Sequence, residues 1–298
     1  MFRTLIALVF LLIGEPLVAV SADPPPTPLT ASADAQGVLV RQGVKPVLFF
    51  QRELMSKSGR WPRSNYIHPL YDIEGRQVIT EDFPADHGHH RGLFWAWHQV
   101  RVNGNKLGDG WVCENFVWDV RSVEFQSPAS PLRLKTVTHW KSPDLLDERE
   151  AMISVVEERV IISVHGQKDK SRLIEFEIAL LALVPGVEIG GSEDRKGYGG
   201  FSPRLKLSPD QSFMAADGVV EPQVTAVDVG DWVELVGNSF RVKMMADPHN
   251  PPPAGLSAPT HWILRRKRSM QNAVYPGRNL VPLSMQTPTV LRYSLLIR

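Results

Sequence analysis

The sequence predicts an all-β fold, a large antiparallel β-sandwich, on three observations. Apolar residues alternate with a period of two: in Arg172–Leu180, Ile174, Phe176, Ile178 and Leu180 share one face, while Leu173, Glu175, Glu177 and Ala179 take the other. Turn chemistry recurs at short intervals, at Glu74-Gly75, Asn103-Gly104, Gly108-Asp109-Gly110, Pro185-Gly186 and Asp217-Gly218. Beyond the N-terminus, no segment carries a sustained apolar stripe of helical period. Many strands joined by short turns suit a sandwich better than a barrel of alternating strands and helices.

The first element in chain order stands apart from that domain. Arg3 precedes nine apolar residues, Leu5–Ile13, and small residues close the stretch at Val20-Ser21-Ala22. This pattern reads as a secretory signal peptide over residues 1–22, cleaved after Ala22 and too short to span a membrane. A packed helix there would be broken by Asp-Pro-Pro-Pro-Thr-Pro from Asp23. Residues 23–35, rich in Pro, Ala and Ser, read as an extended linker. Residues 36–298 then form one domain, placed in the periplasm or outside the cell, with the Pro-rich stretch Asp247–Pro259 as a surface loop.

Within the domain, β-branched and aromatic runs predict strands at Pro46–Gln51, Asn65–Tyr71, Leu93–Arg101, Phe116–Phe125 and Leu132–Trp140. Further strands follow at Arg149–His165, Arg172–Leu180, Trp232–Val236, Phe240–Met245 and Val290–Ile297. Lys+Arg number 33 against 32 Asp+Glu, which gives no electrostatic footprint for nucleic acid or anionic lipid and suits an uncharged ligand such as a sugar. The single cysteine, Cys113, excludes an intrachain disulfide and a cysteine-based zinc cluster, and no base motif beside it marks a nucleophile.

Function concentrates where the composition is uneven. Four of the nine histidines lie between His87 and His98, and five of the eight tryptophans between Trp61 and Trp118. Pro84, Gly88 and Gly92 mark Asp82–Gly92 as irregular backbone feeding a strand from Leu93. In that strand Trp95 and Trp97 share one face, and Phe94, Ala96 and His98 the other. Three readings of the loop compete. Imidazoles near neutral pKa move protons at a sugar, with Asp86 as orienter. Alternatively, His87, His89 and His90 hold a metal, or the groups form a polar structural network over a tryptophan core. Arg91 offers a forked donor to hydroxyls or a carboxylate, or else a salt bridge to Asp82, Asp86 or Glu81, and Trp95 a flat face to a sugar ring. In Ser192–Arg204, Lys196 and Arg204 are further binding candidates; the segment lacks the Gly-Lys-Ser/Thr of a phosphate loop. Glu175 and Glu177 read as a solvent-facing pair, and the basic run Arg265–Arg268 as a solvated strand end.

Asp86-His87-Gly88-His89-His90-Arg91-Gly92-Leu93 resembles the Asp-His-Pro-His-His-Arg-Gly-Leu hallmark of a family of secreted bacterial domains of unknown function, labelled methane oxygenase PmoA-like. Tyr66-Ile67-His68-Pro69-Leu70-Tyr71 before Gly75, the turn Val102-Asn103-Gly104, His98 after the apolar run and, more loosely, Lys196 to Arg204 resemble other parts of that family. Gly88 stands in place of the hallmark's Pro, and Trp97-His98-Gln99 where Gly-His-Gly is common. The resemblance implies a sandwich similar to the galactose-mutarotase supersandwich, in secreted proteins of polysaccharide-degrading bacteria. The oxygenase label fits poorly, since no second apolar segment of spanning length occurs.

The expectation is a secreted carbohydrate-active protein working by proton transfer, as an epimerase, lyase or hydrolase. His90, His98 and Asp86 would be catalytic, and Arg91, His87, His89, Trp95, Lys196 and Arg204 would bind a small-molecule or oligosaccharide substrate. No cofactor is expected. The alternatives are a glycan-binding module without chemistry and a metalloenzyme using His87, His89 and His90.

Overall fold

In the computed structural model, residues 27–254, 261–267 and 270–298 are described, and none of them is helical. The expected cleavage after Ala22 lies outside them. Among the described residues, all strand pairs are antiparallel and fall mainly into two large sheets. The first has eight strands in the order Leu29–Ala33, Gly37–Gln42, Lys45–Gln51, Tyr66–Leu70, Leu93–Trp97, Gly199–Pro203, Asn272–Val274 and His261–Ile263. Its edge strand, Leu29–Ala33, falls within the stretch read from sequence as linker and pairs with Gly37–Gln42.

The second sheet has nine strands, and its centre is the long meander Leu132–Leu146, Met152–Val164 and Arg172–Ala182 followed by the C-terminal Thr289–Ile297. Alternation decides which face is buried. Ile174, Phe176, Ile178 and Leu180 are fully buried, as are Leu291, Leu295 and Ile297 on the neighbouring strand. These rows meet the first sheet in the core, where Phe176 packs against Trp95 (6.3 Å between ring centres) and Phe201 (5.0 Å), and Phe201 stacks on Tyr293 (4.7 Å). The chain is an all-β sandwich.

One strand positions the site. Leu93–Trp97 is central in the first sheet, and all five residues are buried. Trp95 and Trp97 turn inward, Trp97 lying 5.2 Å from Trp140 of the second sheet. Phe94 points the opposite way and meets Trp111 at 5.3 Å, as does His98 at 5.2 Å. The sequence predicted one continuous strand to Arg101, but the ladder breaks at His98. From there Gln99–Val102 joins a separate four-stranded sheet with Asn105–Gly108 and Val187–Gly190. His98 therefore sits where the chain changes sheets, on the face turned away from the inter-sheet core.

Candidate functional site

The histidine loop is fastened from behind. Arg91, fully buried, pairs with Asp82 and donates to the Tyr66 hydroxyl and to the carbonyls of Trp61 (2.9 Å) and Met55 (3.2 Å). Its guanidinium also lies 3.5 Å over the Phe83 ring. These contacts occupy the donors of Arg91 away from any opening, so its role is to anchor the loop, and its assignment to substrate is corrected. Gly92 must be glycine: φ is +52° and a Cβ would strike the Ile67 carbonyl. Ahead of the anchor, His90 N–H closes a turn on the His87 carbonyl at 2.9 Å, and Gly88 lies flat against the Trp61 ring.

The loop delivers its imidazoles to a cleft of about 750 Å³. His87, His89, His90 and His98 line it together with Trp111, Lys196, Tyr198 and Arg265–Lys267. The cleft therefore brings together five of the nine site residues expected from sequence. Trp95 is not among them. It is 1% exposed, and its indole N–H donates to Glu158 at 2.6 Å inside the core, so it has no face for a sugar. The aromatic surface of the cleft comes instead from the half-buried Tyr198, backed by the buried Trp111, whose ring lies 5.4 Å away.

Arg204 also works from behind. Its Nε donates to Glu81 (2.8 Å), Nη2 to Asp86 (2.7 Å) and Nη1 to Nδ1 of His90 (3.0 Å). It is a positioning residue, and its expected contact with substrate is corrected on that ground. Because a guanidinium only donates, Nδ1 of His90 must accept, which puts the proton of the neutral ring on Nε2. Burial, reinforced by His89 and Arg204, holds the His90 pKa far below the ordinary imidazole range, so the ring stays neutral. Asp86 accepts from Arg204 and pairs with Nδ1 of His87 at 3.1 Å. It reaches His90 only through Arg204, so the expected direct orienting role falls on His87. Burial would raise the Asp86 carboxyl, but the His87 and Arg204 hydrogen bonds outweigh it and hold the pKa low. Burial, with His87 adding, lowers His89 to about 4.

His98 has the opposite partner. Its Nδ1 lies 3.0 Å from Oδ2 of Asp109, whose Oδ1 accepts the backbone N–H groups of Trp111 (3.0 Å) and Val112 (3.1 Å). A carboxylate at Nδ1 holds the proton there, leaving Nε2 as an acceptor. Trp111 stacks on the ring at 21° and fixes its plane. Asp109 sits in the Gly108-Asp109-Gly110 turn, which the sequence reading used only as punctuation. Its place beside His98 follows from the hairpin Gln99–Val102 with Asn105–Gly108. Also in the lining, Lys196 pairs with Asp194 at 3.1 Å. Burial would raise the Asp194 carboxyl, but hydrogen bonds from Ser192 and Lys196 bring it to about 2.

The three loop histidines do not converge as ligands would. His87 and His90 lie stacked at 5° and 4.8 Å, with His89 edge-on to both. Among the described residues, no group of three or more His, Cys, Asp or Glu side chains is arranged to hold a metal ion. Glu175 and Glu177 lie on another groove, paired with His165 (2.6 Å) and Arg292 (2.9 Å). Among the described residues, no helix is long and apolar enough to cross a membrane.

No curated protein matches the sequence. Residues 37–298 match the model of a family of unknown function (DUF6807), and the chain belongs to that family.

Proposed function

We propose that the protein is a secreted carbohydrate-active enzyme that moves a proton at a sugar carbon or oxygen, with His98 as general base and His90 as hydrogen-bond donor. The observation that carries this reading is the opposite polarity of two imidazoles at one cleft. Asp109 leaves Nε2 of His98 basic, and Arg204 leaves Nε2 of His90 protonated. A base and a donor facing one space are what removing a proton and stabilising the resulting oxyanion require.

Hydrolysis is the least suited of the three expected reactions. It calls for two carboxyl groups flanking a glycosidic bond, whereas the lining carboxylates, Asp194 and Glu221, are each tied to a cation. Epimerisation or elimination is favoured. The reading needs no cofactor. The resemblance of Asp86–Leu93 to the PmoA-like hallmark, the likeness to mutarotase sandwiches and the apolar N-terminus support secretion and a sugar ligand.

The test is a panel of mono- and oligosaccharides in D2O, followed by NMR for proton exchange and by mass spectrometry for product. Turnover should fall by about 10²- to 10⁴-fold in His98→Ala. Unchanged turnover in that variant would overturn the assignment, and binding with neither exchange nor product would make the protein a glycan-binding module.

A further inference from the structure

We infer that the cleft takes a sugar carrying a carboxylate, a uronic acid unit, and that Arg265 binds that carboxylate. The inference rests on the proton-transfer reading and names its substrate class. The chain as a whole is nearly neutral, with a formal charge of +1, but the cleft is not. Four cationic side chains line it against two carboxylates. Two of those cations are spoken for: Lys196 pairs with Asp194 and Arg266 with Glu221, each at 3.1 Å.

Arg265 differs. Its guanidinium donates to three backbone carbonyls, of Gln223 (2.6 Å), Leu264 (2.8 Å) and Val224 (2.8 Å). Neutral carbonyls fix the position of the group without cancelling its charge, and among the described residues no carboxylate forms an ion pair with it. The guanidinium also lies 5.5 Å over the Tyr198 ring, on the aromatic side of the cleft. Lys267, the fourth lining cation, likewise forms no ion pair among the described residues, and a further uncompensated cation lies beneath. Arg63 is fully buried, donates to the carbonyls of Gly110 (2.6 Å) and Trp111 (3.2 Å), and is held between the rings of Phe94 and Trp118, with no ion-pair partner among the described residues. Its field adds to the neutrality of His89 and His90. A cleft whose lining carries an excess of cations favours an anion, and a preoriented guanidinium suits a carboxylate.

The chemistry agrees with the charge. A proton on the carbon beside a carboxylate becomes removable when the charge that develops is countered. The C–H bond breaks, the proton goes to Nε2 of His98, and the electron pair moves into the carboxylate as an enediolate beside Arg265. Returning that proton from His98 restores the starting uronate; a proton delivered to the opposite face from a second donor in the cleft or from solvent, with His98 releasing its own proton to solvent, gives the epimer, so no oxidant or co-reactant is consumed.

The test uses His98→Asn, which keeps the cleft but lacks the base, in calorimetry against uronic acid oligosaccharides, matched neutral oligosaccharides, inorganic phosphate and a sugar phosphate. Uronates should bind at least about tenfold tighter than their neutral counterparts, with a preference that weakens as salt rises. Arg265→Gln should erase that preference, and Arg265→Lys, which retains the charge, should keep most of it. The salt dependence and the Lys variant also read the charge if Arg265→Gln loosens the wall. Equal affinity for neutral and acidic sugars, or a preference that survives Arg265→Gln, overturns the inference and leaves the proton-transfer reading standing. Tighter binding of phosphate or the sugar phosphate reassigns Arg265 to a phosphoryl group and overturns the carboxylate. No binding by any sugar overturns the sugar reading itself.

Discussion

Trp95 and His98 are three residues apart on one run of chain, and each reaches a carboxylate from elsewhere in the fold. Trp95 donates inward to Glu158, which is fully buried and also accepts from Asn65 (2.6 Å) and from Trp140 (2.8 Å). His98 turns outward to Asp109 and opens on the cleft. The residue types are alike; the environments are not. Inside, three donors are satisfied by one carboxylate with no room for a ligand, so the cluster specifies packing. Outside, one ring nitrogen is held and the other is left for chemistry. On the proposed reading, a strand's two faces divide structure from function more sharply than residue type does.

Breaking the inner cluster should give the largest effect. Glu158→Ala strands the N–H groups of Trp95, Trp140 and Asn65 in the core, and at about 1–3 kcal/mol for each unsatisfied group the loss is about 3–9 kcal/mol. Urea denaturation reads it directly, and Tm should drop by roughly 6–36 °C. Whatever fraction stays folded should keep its turnover. Lost turnover at unchanged Tm would place Glu158 in the reaction and erase the contrast.

The outer cluster should respond the other way. Asp109→Asn keeps Oδ1 for the Trp111 and Val112 amides but turns an N–H toward Nδ1 of His98. The proton then moves to Nε2 and the base is lost. Turnover should fall by about 10²- to 10³-fold, with a Tm shift of only a few degrees. Equal turnover with a large stability loss would make the pair structural.

These two clusters also show which parts were legible in the sequence. The face split of Leu93–Trp97 and the inward rows of Arg172–Leu180 follow from a period of two, which is local, and the structure has both. What lay hidden was non-local. Nothing adjacent to His98 announces Asp109 across a hairpin, and nothing in Arg265-Arg266-Lys267 says that one guanidinium lacks a counter-ion while its neighbour has one. Arg91 is half legible: an ion pair with Asp82 is among its sequence readings, but the Tyr66 hydroxyl, twenty-five residues away, and the Trp61 and Met55 carbonyls that take its other donors are not. Trp95 offered two faces to the sequence, and only the sheet behind it shows that both are covered.

Acid should separate the clusters by sign. His89 has a pKa of about 4 in the fold against 6.5 unperturbed. The unfolded chain therefore takes a proton below pH 6.5 that the folded chain refuses until about pH 4. Stability present at neutral pH is lost across that window, by about 3 kcal/mol, and His90 adds in the same direction. Burial raises Glu158 from 4.5 to about 6, against the pull of its three donors. Its contribution is full below pH 4.5 and is lost as the pH rises through 6, by about 2 kcal/mol. Thermal unfolding from pH 7.5 to 4.5 should show a net loss toward acid, and His89→Asn should flatten it. An undiminished acid slope in that variant would move the effect away from the cleft.

The smallest expected effect sits where the histidine loop touches the fold. A Cβ at Gly88 would enter the Trp61 ring, so Gly88→Ala must push either the indole or the loop. Overpacking of this kind costs about 1–3 kcal/mol. Trp61 is only partly buried and carries Arg60 stacked 4.2 Å from its ring, so the indole has somewhere to go. If the indole moves, the histidines keep their places, stability falls and turnover does not. If the loop moves, His87, His89 and His90 shift with it and turnover falls as well. Trp61→Ala separates the cases, because it removes the obstacle. Gly88→Ala in that background should recover about 1 kcal/mol relative to the sum of the single changes. Strict additivity would mean that the loop never leaned on Trp61, and that Arg91 and Arg204 alone hold the histidines against the sheet.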